Sequence, residues 1–177
     1  DQKPRPNQVA VLKEVERVWG KSDVIVIRAP VGSGKSPLAQ TIGAWATQDK
    51  HTAAILTHRV SLQEQYKRDF PNVPTLMGKS RYQCPGNELN CADHAEVFGE
   101  PCGPGCVYQE AKSAVLKAKV AVLNYHVYTY MEEKRNVVIG DEFHGIFDIL
   151  SEMYSLKLWH HKDKYPKGMT TAGDVAV

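Results

Sequence analysis

Apolar positions recur at helical spacing over residues 5–19. Val9, Leu12, Val15 and Val18 with Trp19 fall on one face there, and Pro6 suits a first turn. Residues 23–28 form a short β-branched run, the mark of a buried parallel strand. A glycine-rich turn follows, and then a helix predicted to run through Trp45. Residues 52–57 predict a second strand. Ser61 and Glu64 have capping-box spacing and predict a helix opening at Ser61 and ending near Phe70. Residues 73–77 predict a weaker strand. From 78 to 106 the chain is rich in Pro, Gly, Asn and acidic residues and shows neither period. Order resumes with a helix over 107–117, a strand over 120–124, a short helix over 125–131 and a strand over 136–140. Strands alternating with helices predict an α/β fold with a mostly parallel sheet.

Composition narrows the class. A chain of 177 residues can bury one core and carry a small inserted module. A net charge of +2 provides no overall basic field, so any nucleic-acid contact must come from local patches. No run of about 18 apolar residues exists, which excludes a spanning helix and predicts no membrane partner. The start, Asp1 to Pro6, is polar, lacks an apolar signal core and does not begin with Met. It reads as an excised piece of a cytoplasmic protein, or of a nuclear one in a eukaryote.

Two segments carry nucleotide chemistry. Ala29, Pro30, Val31, Gly32, Ser33, Gly34, Lys35 and Ser36 meet the phosphate-loop pattern, between the strand and helix it requires. Glycines leave backbone N–H groups free to close around phosphates of ATP. Lys35 supplies a point charge, and the Ser36 hydroxyl is a Mg²⁺ ligand. Pro37 costs little, because first-turn N–H groups have no helical partner. A chance glycine-rich turn does not account for the flanking strand and helix. Asp141 and Glu142 follow the last apolar run, which puts them at the carboxyl end of a buried strand, where open α/β sheets bind ligands. Asp141 is expected to hold Mg²⁺ and Glu142 to orient and deprotonate the attacking water, giving Glu142, Asp141 and Lys35 as the catalytic set. The competing reading is an acidic turn capping a following helix.

All four cysteines, Cys84, Cys91, Cys102 and Cys106, fall in the aperiodic stretch, spaced C-x6-C-x10-C-x3-C. Zinc ribbons usually pair cysteines two to four residues apart at both ends, and only the second pair qualifies. Iron–sulfur clusters accept uneven spacing, and the Pro/Gly turns here leave N–H groups free to donate to cluster sulfurs. A 4Fe–4S cluster is therefore expected, with Zn²⁺ as the alternative, in which His94 is a further candidate ligand. Disulfides fit poorly with the lack of a signal segment.

With these features in order, the chain resembles the iron–sulfur helicases of superfamily two, the XPD and DinG group. Arg5-Pro-Asn-Gln8 is similar to the family's glutamine motif, residues 56–66 to motif Ia, residues 78–84 to the segment entering the cluster domain, and residues 121–126 to the strand leaving it. The resemblance implies a RecA-like P-loop sheet with an inserted small iron–sulfur domain. Residues 1–77 and 118–150 would form the first motor domain, 78–117 the insertion, and 151–177 the start of an arch-like region or linker. It implies ATP-dependent 5′-to-3′ translocation on single-stranded or forked DNA, in repair or replication, with a second motor domain in cis supplying an arginine finger. Gln8 is expected on the adenine. Thr57, Arg59 and Ser61, and the basic-aromatic group Lys79, Arg81 and Tyr82, are the candidate DNA contacts. His160, His161, Lys162 and Lys164, beside Trp159 and Tyr165, read as a solvated face.

Two departures stand out. The acidic box carries Phe143 where the family has a small residue, between Glu142 and His144, and nothing after residue 150 is similar to motifs III to VI. The alternative function is a P-loop nucleic-acid-binding or regulatory module with a structural zinc and no unwinding. A zinc-containing P-loop kinase or transport ATPase fits the phosphate loop but leaves residues 56–66 and the acidic box unexplained.

Overall fold

The computed structural model describes residues 3–30, 32–48, 50–86, 88–99, 102–147 and 151. Four parallel strands form one sheet: β1 (Ala53–Thr57), β2 (Thr75–Leu76), β3 (Val120–Asn124) and β4 (Val137–Gly140), in the order β2-β3-β1-β4. The α/β parallel expectation holds. These α-helices accompany them among the described residues: α1 (Pro6–Val18), α2 (Lys35–Ala46), α3 (Val60–Asp69), α4 (Cys91–Phe98), α5 (Val107–Lys117) and α6 (Tyr125–Thr129). No helix among the described residues is long and apolar enough to cross a membrane.

The period of two along each strand divides the core. Ala54, Leu56, Ala121 and Leu123 face one side, packed with Leu76, Val115 of α5, Tyr125 of α6 and Met131. Ile55 and Val122 face the other, against Ala39 of α2 and Tyr66 of α3. Both faces of β1 and β3 are covered, so these strands run apolar up to their final residues, Thr57 and Asn124, rather than alternating. A third cluster, Val15 with Leu38 and Ile42, docks α1 onto α2. Register sets the strand ends level: Leu56 is opposite both Leu123 and Gly140, and Thr57 is opposite Asn124. The residues that leave β1, β3 and β4 therefore emerge together at one edge of the sheet.

Four sequence expectations need correction. Residues 23–28 form no strand: Ile25 packs against the α1–α2 cluster, while Val24 and Val26 are 75% and 86% exposed. β-branched residues favour extended backbone, but ladder pairing needs a neighbouring strand, and none of the described residues supplies one. Helix α3 opens at Val60 with Arg59 as its cap and no side-chain cap bond, so Ser61 lies inside the first turn and the capping-box reading fails. The stretch 78–106 is not aperiodic throughout. It holds a 3₁₀ turn, Lys79–Arg81, and helix α4, which Asn90 caps by accepting the Ala92 and Asp93 N–H groups. Helix α6 ends at Thr129 rather than near Met131.

Arg135, to which the sequence assigns no role, donates through both terminal nitrogens to the carbonyls of Ala118 and Val115 at the end of α5. Charged groups satisfying orphan helix carbonyls are worth more than neutral ones. Arg135→Ala is therefore expected to cost about 2 kcal/mol. That lowers Tm by roughly 6 °C, readable by thermal unfolding.

Candidate functional site

The phosphate loop is built from the helix inward. Gly34 caps α2 with φ +84°, a left-handed conformation natural to glycine, and a Cβ there would run into the Gln8 side-chain amide. Gln8 donates from Nε2 to the Gly34 carbonyl at 3.1 Å and accepts the Arg5 N–H at 2.8 Å. Arg5 in turn donates to the Gly32 carbonyl at 2.8 Å. The first turn of α1 thus braces the loop. Lys35 Nζ curls onto the loop carbonyls of Pro30 at 3.2 Å and Ala29 at 3.5 Å. Ser33 Oγ is buried with no described partner. An orphan hydroxyl, glycine backbone and a loop-bound ammonium suit a phosphate chain. Val31 lies outside the described residues.

Strand β4, an edge strand of half-buried and exposed residues rather than the buried strand expected, delivers the acids to this loop. Asp141 is 7% exposed, and its N–H donates to the Leu56 carbonyl at 2.8 Å, continuing the β1 ladder. Ser36 Oγ donates to Asp141 Oδ2 at 3.3 Å, although 105 residues separate them. Tyr66 Oη, from α3, donates to the same oxygen at 2.9 Å. Burial, and then the Asp141 carboxylate, push the Tyr66 phenol up from its ordinary value. The same two causes push Tyr125 up to about 12. Glu142 follows with φ +54°, unusual for a non-glycine residue and costing on the order of 1 kcal/mol. Among the described residues its Oε2 is buried without a hydrogen bond, and Arg59 Nε pairs with it at 3.6 Å. Phe143 folds its ring edge back on Gly140, where an added Cβ would lie 2.6 Å from Phe143 Cδ2 and 2.7 Å from Tyr125 Oη. The bulky residue therefore sits over a position with no side chain. The Ser36 hydroxyl and the Asp141 carboxylate, oxygen donors side by side, are suited to Mg²⁺.

The thiols also converge. Cys84, Cys91 and Cys106 are 3%, 3% and 4% exposed, and none of the four cysteines is in a disulfide. Sγ separations are 2.9 Å for Cys84–Cys102 and 3.7 Å for both Cys84–Cys91 and Cys91–Cys106. Cys91 opens α4 and Cys106 caps α5, so two helix starts and a bridge between Gln83 and Asn90 bring the sulfurs together. Burial and the neighbouring thiols push Cys91 up to about 12. Burial likewise raises Cys84, and the hydrogen bond with Cys84 pulls Cys102 down. Soft sulfurs gathered this closely, two of them pushed up by burial, suit a cation that makes them thiolates.

The candidate DNA residues divide. Arg59 and Ser61 are exposed at the start of α3, and Lys79 and Arg81 are exposed on the 3₁₀ turn. Thr57 is fully buried, its hydroxyl unpartnered among the described residues, because it is the last inward residue of a central strand. A phosphate cannot reach it in this arrangement. Tyr82 is a wall of the thiol cluster: its hydroxyl accepts the Met77 N–H at 3.1 Å and its ring meets Tyr108 edge-on at 5.5 Å. Lys79 Nζ lies 5.8 Å over the Tyr108 ring. The group at 159–165 lies outside the described residues. Sequence reasoning missed Arg5 and Tyr66, whose roles depend on partners across the fold.

A family model described as the res subunit of type III restriction enzymes matches residues 1–165. None of the curated proteins compared with the chain matches it.

Proposed function

Because the chain belongs to the family of the type III restriction enzyme res subunit, a helicase-type ATPase motor of superfamily two, we propose that it couples ATP hydrolysis to 5′-to-3′ movement along single-stranded or forked DNA. The observation that carries the reading is the meeting of Ser36 with Asp141 beside a glycine loop braced by Gln8. The loop N–H groups and Lys35 hold the phosphates. Ser36 and Asp141 are the residues that would hold Mg²⁺, which when bound neutralises charge on the transferred phosphoryl group. Glu142, with a buried carboxylate oxygen that has no hydrogen bond among the described residues, orients the attacking water and takes its proton. Gln8 contributes through the loop carbonyl and reaches adenine only by giving up that bond. Arg59, Ser61, Lys79 and Arg81 meet the DNA backbone; Thr57 and Tyr82 support them from within. A second motor domain in cis completes the site with an arginine finger, and the protein works in the cytoplasm, or in a nucleus if eukaryotic.

The centre we propose for Cys84, Cys91, Cys102 and Cys106 is a 4Fe–4S cluster in an insertion spanning residues 78–117, carried by the motif order of the family it resembles. One observation favours a second reading, a single Zn²⁺. Cys84, Cys91 and Cys102 hold their sulfurs within 4.8 Å of one another, and two Sγ pairs, Cys84–Cys91 and Cys91–Cys106, stand at 3.7 Å, near the edge of about 3.8 Å that a Zn–S length of roughly 2.3 Å gives a tetrahedron, while Cys84–Cys102 is shorter at 2.9 Å. A cluster requires the sulfurs to spread.

The test of the motor is unwinding by the full-length protein on duplexes with a 5′ or a 3′ single-stranded tail. We expect ATP-dependent unwinding from the 5′ tail only, lost in Lys35→Ala. Unwinding from the 3′ tail alone reverses the polarity. DNA binding with no unwinding supports the regulatory-module reading instead.

A further inference from the structure

Tyr66 is 1% exposed, and its ring packs on Phe70, with centroids 5.8 Å apart, and on Ala39, Ile55 and Val122. The surroundings suit phenylalanine. A hydroxyl placed there costs free energy unless it is paired. Its partner is not a neighbouring backbone group but the carboxylate of Asp141, 75 residues away. The other donor to that oxygen, Ser36, is itself a candidate metal ligand. When Ser36 turns to a metal, Tyr66 is the donor that stays with the carboxylate. Helix α3 therefore partners both acids, Asp141 through Tyr66 and Glu142 through Arg59.

We propose that Tyr66 is a positioning residue: its phenol holds Asp141 Oδ2 so that the carboxylate is set, before metal and nucleotide arrive, in the orientation that binds Mg²⁺. The proposal rests on the nucleotide-site reading above and adds to it a residue that touches neither nucleotide nor metal. The hydrogen bond fixes the carboxylate's rotamer, so less ordering remains to be done on binding.

The experiment is a Mn²⁺ titration of the ADP complex followed by electron paramagnetic resonance, comparing the full-length protein with Tyr66→Phe and Asp141→Asn. Tyr66→Phe keeps the ring and its packing and removes one hydroxyl. The expected result is about tenfold weaker Mn²⁺ binding in Tyr66→Phe. ADP affinity without metal and thermal unfolding should stay at the wild-type values, and Asp141→Asn should weaken Mn²⁺ at least as much. Wild-type Mn²⁺ affinity in Tyr66→Phe, with Asp141→Asn weakened, overturns the role of Tyr66 and spares the site. Wild-type affinity in Asp141→Asn overturns the site reading itself. A Tyr66→Phe protein that also loses metal-free ADP affinity marks the residue as general packing and overturns the proposal.

Discussion

Glu142→Gln is expected to lower DNA-stimulated ATP turnover of the full-length protein by about two to four powers of ten while nucleotide binding persists. The amide keeps the size of the side chain but cannot take a proton from water. The residue is held in a left-handed conformation directly after edge strand β4, a strain that an ordinary turn has no need of. Its Oε2 is buried and has no hydrogen bond among the described residues; Arg59 Nε at 3.6 Å forms an ion pair with it but stands beyond hydrogen-bond distance. Lys35→Ala is expected to fail earlier in the cycle, losing nucleotide affinity together with turnover, since the ammonium is the loop's only side-chain cation. Phosphate release and nucleotide binding, measured side by side, separate the two variants. Wild-type turnover in Glu142→Gln removes Glu142 from the chemistry.

Cys91→Ala is expected to empty the thiol site and unfold the insertion around it. Cys91 is the hub of the four sulfurs, 3.7 Å from both Cys84 and Cys106, and it is also the first residue of α4. The apolar support is thin: Tyr82 and Tyr108 are the main side chains packed on the cluster. In such a small unit, metal binding supplies most of the folding free energy, on the order of 10 kcal/mol for structural zinc. The wild-type protein, purified without oxygen, is expected to be brown, with iron and sulfide in equal amounts. The variant is expected to be colourless, with protease cleavage confined to residues 78–117. A colourless wild type holding one zinc per chain replaces the cluster with the tetrahedral reading. A wild type with neither metal defeats the site.

The places where sequence and structure part have a common cause. Residues 23–28 have the composition of a core strand, yet Val24 and Val26 face solvent, because apolar content states a demand for cover without naming what covers it. Ser61 and Glu64 have the spacing of a cap, but the chain turns at Arg59, since Leu62 and Gln63 donate their N–H groups to the Arg59 carbonyl. Helix α4 was hidden in a polar stretch, although Asn90 before it and Gly99 after it are ordinary start and stop signals. Eight residues are too few for a period to stand out.

By itself the sequence determined the alternation of strands and helices, the phosphate loop between 29 and 36, the acids at the end of a strand, and the four thiols gathered in one loop. Each depends on residues close together in the chain, where propensity, spacing and glycine content act directly. Only the tertiary structure decided that Thr57 is buried, that Arg5 and Gln8 brace the loop, and that Tyr66 reaches Asp141. Those facts follow from strand order and helix packing. Parallel pairing of β1 with β3 and β4 brings distant residues to one sheet edge, and no local pattern encodes which of them will meet.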